Sequence, residues 1–325
     1  MTDTTRPRPG TALVLAAFAA VYVLWGSTYL AIAVAIESLP PLLMAGTRYL
    51  AAGVILYAFM RLRGEAVPTR VHWRNTAIVG GLLLLCGNGG VVLAERTVPS
   101  GVAALLVATV PMWMVVLEWL RPGGNRPAGR TILGLALGFV GMIVLVGPGL
   151  AGGARVDPLG AGLLLVASMA WAAGSIFSRG AALPKSALLA TGMEMVCGGA
   201  WLLLAGLLRG EVAAANPSAF TTESVLAFLY LVVFGSLVGF TAYIWLLGVS
   251  TPARVSTYAY VNPIVAVLLG WAILDEPVTS RVLIAAAVII LAVAVITTGK
   301  RKEAPPELAT EDDHPPMLKE RLDAA

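Results

Sequence analysis

The sequence predicts an all-α membrane protein of ten transmembrane helices, folded as two inverted five-helix repeats. Three observations carry this. The 325 residues are 58% hydrophobic and only 12% charged, with a mean hydropathy of +0.85; water-soluble globules do not have that balance. Ten apolar segments fill residues 13–298, each close to the ~20 residues a helix needs to cross a ~30 Å hydrocarbon core. The segments fall into two sets of five with matching residues in matching order. Inside lipid a helix satisfies its own backbone polar groups. An odd number of spans per half forces the second half to enter upside down. Inverted repeats of this kind commonly place a binding site near the bilayer midplane, between the halves.

The segments lie at about 13–36, 41–60, 75–94, 99–120, 131–148, 158–178, 186–208, 222–247, 253–274 and 280–298. The first follows Arg6 and Arg8 and ends in an A-x-A at Ala31–Ala33, which mimics a secretory signal. Its apolar run is too long for one, so it reads as a span. The second carries Arg48; the third carries Cys86 and Asn88. The fourth begins at Pro99 and holds Pro111. The fifth has a face of Gly134, Gly138 and Gly141, suited to close helix approach within the fold or to a homodimer contact. A Gly- and Pro-rich linker, 149–157, divides the first repeat (13–148) from the second (158–299). The sixth span holds Trp171 and Ser175, and the seventh Glu194 and Cys197. The ninth is the most polar, with Ser256, Thr257, Tyr258, Tyr260 and Asn262, and Arg281 opens the tenth. Residues 1–12 and 300–325 are left as tails. The second is rich in Pro, Glu and Asp and is expected to be disordered.

The net charge is +4, but the placement of the cations argues against a nucleic-acid partner. Seventeen of the 22 Lys and Arg fall in the two tails and in the loops after spans two, four, six and eight. The other loops hold only Arg96, Arg155, Arg209 and Arg281. This is the positive-inside pattern of a multi-pass protein with both termini in the cytoplasm. A missed or invented span would scramble it. The only two cysteines, Cys86 and Cys197, lie mid-span. They read as small packing residues and offer no disulfide framework. His72 and His314 are far apart, so neither a metal site nor a cofactor is expected.

The repeat rests on ordered matches. Trp25-Gly26-Ser27 answers Trp171, Gly174 and Ser175. Gly46, Arg48 and Gly53 match Gly192, Glu194 and Gly199 at an offset of 146. Pro111 matches Pro263 and Trp119 matches Trp271 at an offset of 152. Arg130 and Gly147 bracket the fifth span as Arg281 and Gly299 bracket the tenth.

These residues also carry a resemblance. WGSTYLAIAVAIESLPPLLMAGTRYLAAGVIL (25–56), VPSGVAALLVATVPMW (98–113) and TPARVSTYAYVNPIVAVLLGWAILDEPVT (251–279) resemble EamA-type members of the drug/metabolite transporter superfamily. The last stretch is the most specific: small residues, a mid-helix proline, then an acidic pair and a proline leaving the membrane. The resemblance covers about 290 residues, all but the tails. It implies two EamA repeats, a central cavity, and export of small metabolites, often amino acids or drugs, across the bacterial inner membrane. Helices one, three, four, six, eight and nine would line the path.

No G-x-x-x-x-G-K-[ST] occurs, so no P-loop ATP motor is built in. No intramembrane set of His, Asp and Ser suits hydrolysis. A carrier that follows or uses a gradient is expected, not an enzyme. Arg48 and Glu194 are the only charges well inside spans. Intramembrane charges are costly and mark function, here substrate or proton coupling. They would lie roughly 10 and 12 Å from opposite faces, leaving roughly 8 Å between their levels. The alternative is that each is satisfied separately, Arg48 by snorkelling or by backbone carbonyls.

Pro111 and Pro263 each free a carbonyl. Such kinks are tolerated where protein or a water-lined cavity satisfies the freed group. They are expected to line the cavity; packing kinks are the alternative. Tyr258 and Asn262 share a helix face. An amide facing lipid is expensive, so Asn262 is expected in a pocket. Asn88 is equally open to a pocket or to an inter-helix hydrogen bond. Trp25 and Trp171 are deeper than the interfacial belt. With Ser27 and Ser175 they suit two symmetric pocket walls, against simple bulky packing. The expected substrate-binding set is therefore Trp25, Ser27, Asn88, Trp171, Ser175, Tyr258 and Asn262, with a small molecule and the lipid bilayer as partners. An uptake carrier or exchanger is the alternative within the class; a membrane-embedded enzyme or a receptor is the alternative outside it.

Overall fold

The structure, a computed structural model, describes residues 10–124, 126–146, 156–250, 252–255 and 257–297. All regular elements among them are helical. Eight helices are long and apolar enough to cross a membrane: α1 (Thr11–Ala35), α2 (Pro41–Leu62), α3 (Arg70–Ala94), α4 (Ser100–Leu120), α5 (Gly129–Val146), α6 (Pro158–Gly180), α7 (Ala187–Leu208) and α8 (Thr222–Leu247). Two shorter apolar helices, α9 (Tyr258–Leu274) and α10 (Ser280–Thr297), complete the ten. A single turn, Pro252–Val255, precedes α9. The C-terminal tail, nearly all of the N-terminal tail, most of the linker and Ser256 lie outside the described residues.

Boundaries follow the loss of apolar residues and the arrival of caps. The largest departure from the hydropathy reading is α3, which starts at Arg70 because Thr69 caps it. The Thr69 hydroxyl accepts from His72 N at 3.3 Å, and Thr69 N donates to His72 Nδ1 at 3.4 Å. This reciprocal box satisfies two orphan donors and gives His72 its role. Large apolar side chains such as Ile55, Phe59, Leu133, Ile143, Leu204 and Ile284 are exposed, as expected where lipid is the solvent. Cys86 belongs with them: it is exposed, not a packing residue, whereas Cys197 is partly buried.

The halves interlock in symmetric pairs. α2 packs along α7 and α5 along α10, while α1 packs on α8 and α9 just as α6 packs on α3 and α4. The α2–α7 crossing depends on the matched glycines. A Cβ at Gly53 would lie 2.7 Å from Val196 N, and one at Gly192 would lie 2.9 Å from Tyr57 N. At Gly46 it would lie 2.8 Å from Leu203 N, and at Gly199 it would lie 2.6 Å from Leu50 N. Thus Gly46 opposes Gly199 and Gly53 opposes Gly192, as two repeats entering from opposite sides require. Gly134 and Gly141 approach α10, and Gly138 approaches both Met112 of α4 and Ala292 of α10. All three are buried inside the chain, so the α5 glycine face is not free for a homodimer.

Both proline helices are broken, in different places. α4 is interrupted between Val107 and Val110, immediately before Pro111. There the Leu106 carbonyl accepts from Thr109 Oγ1 at 2.6 Å and from Ser168 Oγ of α6 at 3.3 Å. In α9 the helix runs through Pro263, and the break comes before Tyr258. α3 and α8 each contain a π-helical run, Gly81–Asn88 and Leu231–Val238, at corresponding positions of the two repeats.

Five links between the halves lie at one face of the bundle, and Asn75 Nδ2 donates to the Ala182 carbonyl at 2.9 Å at the other. Glu211 accepts from Leu42 N and Leu43 N at 2.9 and 3.0 Å. Glu276 accepts from Ser100 N and Gly101 N at 2.6 and 3.0 Å. Thr97 Oγ1 donates to Asp157 at 2.7 Å, Thr221 N to Ser38 at 3.1 Å, and Arg281 Nε to the Val144 carbonyl at 2.7 Å. The hydrogen bond from Thr97, followed by that from Gly160 N, holds the Asp157 carboxyl below its usual range. That link is therefore present above the ordinary carboxylate pKa and is lost as pH falls through the lowered value.

Candidate functional site

The π-helical run of α8 is the hub of one polar and aromatic group. Trp25 of α1 donates from Nε1 to the Gly235 carbonyl at 3.2 Å. Its ring centroid lies 5.1 Å from Phe240, 5.1 Å from Tyr243 and 5.2 Å from Tyr258. Gly239 makes room for it: a Cβ there would fall 2.5 Å from the indole nitrogen. Two residues along α1, Ser27 Oγ donates to the Leu24 carbonyl at 3.0 Å and shares a hydrogen bond of 2.6 Å with the Tyr230 hydroxyl. Tyr22 is hydrogen-bonded to Thr257. Asn262 is 8% exposed. With its nitrogen turned toward them, it donates to the carbonyls of Tyr258 and Tyr22, both at 3.2 Å. Asn262 thus faces the interior and spends its amide tying α9 to α1, while the Tyr258 ring faces the aromatic cluster.

The π-helical run of α3 repeats the arrangement with other side chains. Trp171 of α6 lies against Gly87, where a Cβ would be 2.9 Å from the ring, and Gly174 lies against Leu82 and Leu83. Ser175 Oγ donates to the carbonyl of Trp171 at 2.8 Å, within its own helix. Asn88 ends the run, and its Oδ1 is buried without a hydrogen bond. Among the described residues no hydrogen bond or ring contact joins Trp171, Ser175 and Asn88 to the Trp25 group. The seven expected residues therefore form two groups, each built across the halves.

Arg48 and Glu194 are not joined either. Arg48 is 2% exposed. Its Nε donates to Ser236 Oγ in the α8 run at 3.0 Å, its guanidinium lies 4.6 Å from the Tyr49 ring centroid, and Nη1 is buried with no partner. Glu194 is partly buried on the α7 face that approaches Gly80 of α3. Among the described residues it makes no hydrogen bond or ion pair.

The group that sequence reasoning missed is Glu95. It sits one residue past α3, in ERTVPS, which reads as a solvated loop. In the structure it is 8% exposed, and both carboxyl oxygens are buried without a hydrogen bond. Burial, and behind it the charge of Glu276, push its carboxyl well above the usual range; the charge of Arg48 acts the other way. One signal existed. Asn88 and Glu95 are seven residues apart, which puts them on one helix face.

A family model for the EamA-like transporter family matches residues 11–147 and 158–298. The chain belongs to the EamA-like transporter family. Among its relatives is YedA of Escherichia coli (strain K12), an uncharacterized inner membrane transporter. It is 42% identical over 262 residues, covering 80% of this chain and 83% of YedA. The protein PecM of Dickeya dadantii is 27% identical over 267 residues, covering 80% and 84% of the two chains. A probable amino-acid metabolite efflux pump of E. coli is 26% identical over 277 residues, covering 82% and 88%. One crystal structure superposes with a TM-score of 0.58 at 20% identity, covering 88% of this chain and 97% of the other. That likeness speaks to the fold alone.

Proposed function

We propose that this EamA-family protein is a secondary transporter of the bacterial inner membrane that exports small metabolites by alternating access, the halves rocking about the residues gathered on the two π-helical runs. The observation that carries the reading is the match of both repeats to a transporter family. The names of two relatives, an inner membrane transporter and a probable amino-acid metabolite efflux pump, support the membrane and the substrate class. π-Helical runs often occur at functional positions, and here they take the repeat-related tryptophans. Purified protein in proteoliposomes should move at least one compound from an amino-acid and drug panel with no ATP present. Flux that needs ATP, or none across the panel, would count against the reading.

We infer that both termini lie in the cytoplasm, from the split of seventeen basic residues against four. Reporter fusions after Arg70 and Arg126 should read cytoplasm, and those after Arg155 and Arg209 the outside. A cytoplasmic reading after Arg155 would remove the orientation.

Tyr258 and Asn262 should part company on mutation. Tyr258→Ala removes a ring from the Trp25 cluster and no inter-helix hydrogen bond that its side chain makes. It should lower flux while the protein still inserts, with a modest fall in melting temperature from lost ring contacts of about 0.5–1.5 kcal/mol each. Asn262→Ala removes the amide tie between α9 and α1, so it should lower the melting temperature, at a cost of about 0.6–2 kcal/mol. Equal flux in Tyr258→Ala and wild type would place the path elsewhere.

A further inference from the structure

We propose that Arg48 and Glu95 are the two poles of a binding site for a zwitterion, a small molecule bearing one carboxylate and one ammonium group, as a free α-amino acid does. The proposal deepens the carrier reading and rests on it. Both side chains are more than nine-tenths buried, and each has polar atoms that meet nothing: Nη1 of Arg48, and both carboxyl oxygens of Glu95. The last turns of α3, just before Glu95, pack on α2, which carries Arg48, yet the two side chains form no ion pair. Taken out of water and held apart, the guanidinium lacks a counter-ion and the Glu95 carboxyl is pushed toward its neutral form. A ligand with both charges supplies what each lacks.

The details favour that ligand over a simple ion. Ser236 fixes Arg48 Nε at 3.0 Å, so the guanidinium is oriented in advance while Nη1 remains free for a carboxylate. Arg is suited to this by its rigid planar fork. The other carboxylate acting on Glu95 is Glu276, but that group is committed to Ser100 N and Gly101 N. Tyr29 and Tyr49 are the other titratable groups beside the pair, and neither supplies a cation. An anion alone would leave Glu95 unmatched, and a cation alone would leave Arg48 unmatched. The two poles also lie toward the same end of the bundle: Arg48 is two turns into α2, and Glu95 caps the end of α3.

The test uses full-length protein in lipid nanodiscs and three forms of each proteinogenic amino acid: the free acid, its methyl ester (ammonium only) and its N-acetyl derivative (carboxylate only). Binding is read by calorimetry. At least one free amino acid should bind, and its ester and N-acetyl form should each bind at least about tenfold more weakly. Glu95→Gln, which keeps the shape, should weaken the free amino acid by at least about tenfold and leave the N-acetyl form within about twofold. A merely structural Glu95 would weaken all three forms alike, and that result overturns the proposal. So does binding of the ester or N-acetyl form as tight as the parent, or no binding by any of the twenty. Flux separates this from the carrier reading. Transport of a singly charged compound that ignores Glu95→Gln overturns the site and keeps the carrier. Zwitterion binding with no flux of anything keeps the site and counts against the carrier.

Discussion

Gly199→Leu should leave almost no folded protein in a detergent extract, whereas Gly162→Leu should fold and melt like the wild type. The difference is where a side chain would go. At Gly199 the first carbon alone lands 2.6 Å from Leu50 N and 2.9 Å from the Gly46 carbonyl. Both are backbone atoms of α2, so no rotamer change relieves the clash; the helices must separate. Overpacking typically costs about 1–3 kcal/mol and occasionally more, against a total stability of about 5–15 kcal/mol. A leucine at this crossing adds three further carbons and disturbs the opposing Gly46 contact as well. At Gly162 a Cβ would meet nothing within 4 Å. Gly199→Ala is the graded case, and its melting temperature should fall clearly below that of the wild type. Fluorescence-detected size exclusion followed by melting reads all three. A monodisperse Gly199→Leu with the wild-type melting temperature would mean that α2 and α7 do not cross as described.

The glycines of that crossing were legible in the sequence because lipid leaves little choice: spans follow from composition, and an offset of 146 matches Gly46 and Gly53 to Gly192 and Gly199. That α2 lies on α7, which sets Gly46 against Gly199, was not. The pairing of Trp25 with Trp171 was legible for the same reason, and each indole packs on a glycine in or next to the matching π-helical run, Gly239 or Gly87. What each indole faces was not. Whether two repeat-related rings share one space depends on how the helices between them pack, and matched positions carry no information about that. Arg48 and Glu194 also occupy matched positions, yet Arg48 turns to Ser236 of α8 while Glu194 lies on the face toward α3. Depth alone does not reveal azimuth. Glu95 was hidden by the rule that otherwise worked best. A hydropathy reading stops at the first charge, so a buried carboxyl at the last turn of a helix is taken for loop. The π-helical runs have no hydropathy signature either.

Glu276→Ala should loosen the face of the bundle where five links join the halves. Glu276 comes from the loop before α10 in the second half and caps α4 in the first, accepting two backbone donors. The first turn of a helix has N–H groups with no intrahelical partner, and a carboxylate there also meets the positive end of the helix dipole. Hydrogen bonds to a charged group contribute about 1.5–3 kcal/mol each, discounted here because Glu276 is partly exposed. A net loss of about 1.4–2.8 kcal/mol corresponds to a tenfold to hundredfold change in an equilibrium constant. Spread over a closed–open equilibrium, that suffices to populate the open state. The sign follows from where the links lie. Glu211, Glu276, Asp157 with Thr97, Ser38 with Thr221, and Arg281 with Val144 join the halves at this face, so deleting one favours its opening. A reporter cysteine replacing Val102, which is 5% exposed just beyond the capped turn, reads the change once Cys86 and Cys197 are replaced by serine. With a membrane-impermeant thiol reagent, its labelling should quicken about tenfold in Glu276→Ala, with only a small drop in melting temperature. The same labelling rate in both backgrounds would mean that Glu276 caps α4 without holding the face closed. Collapse of the melting temperature would make its role one of folding.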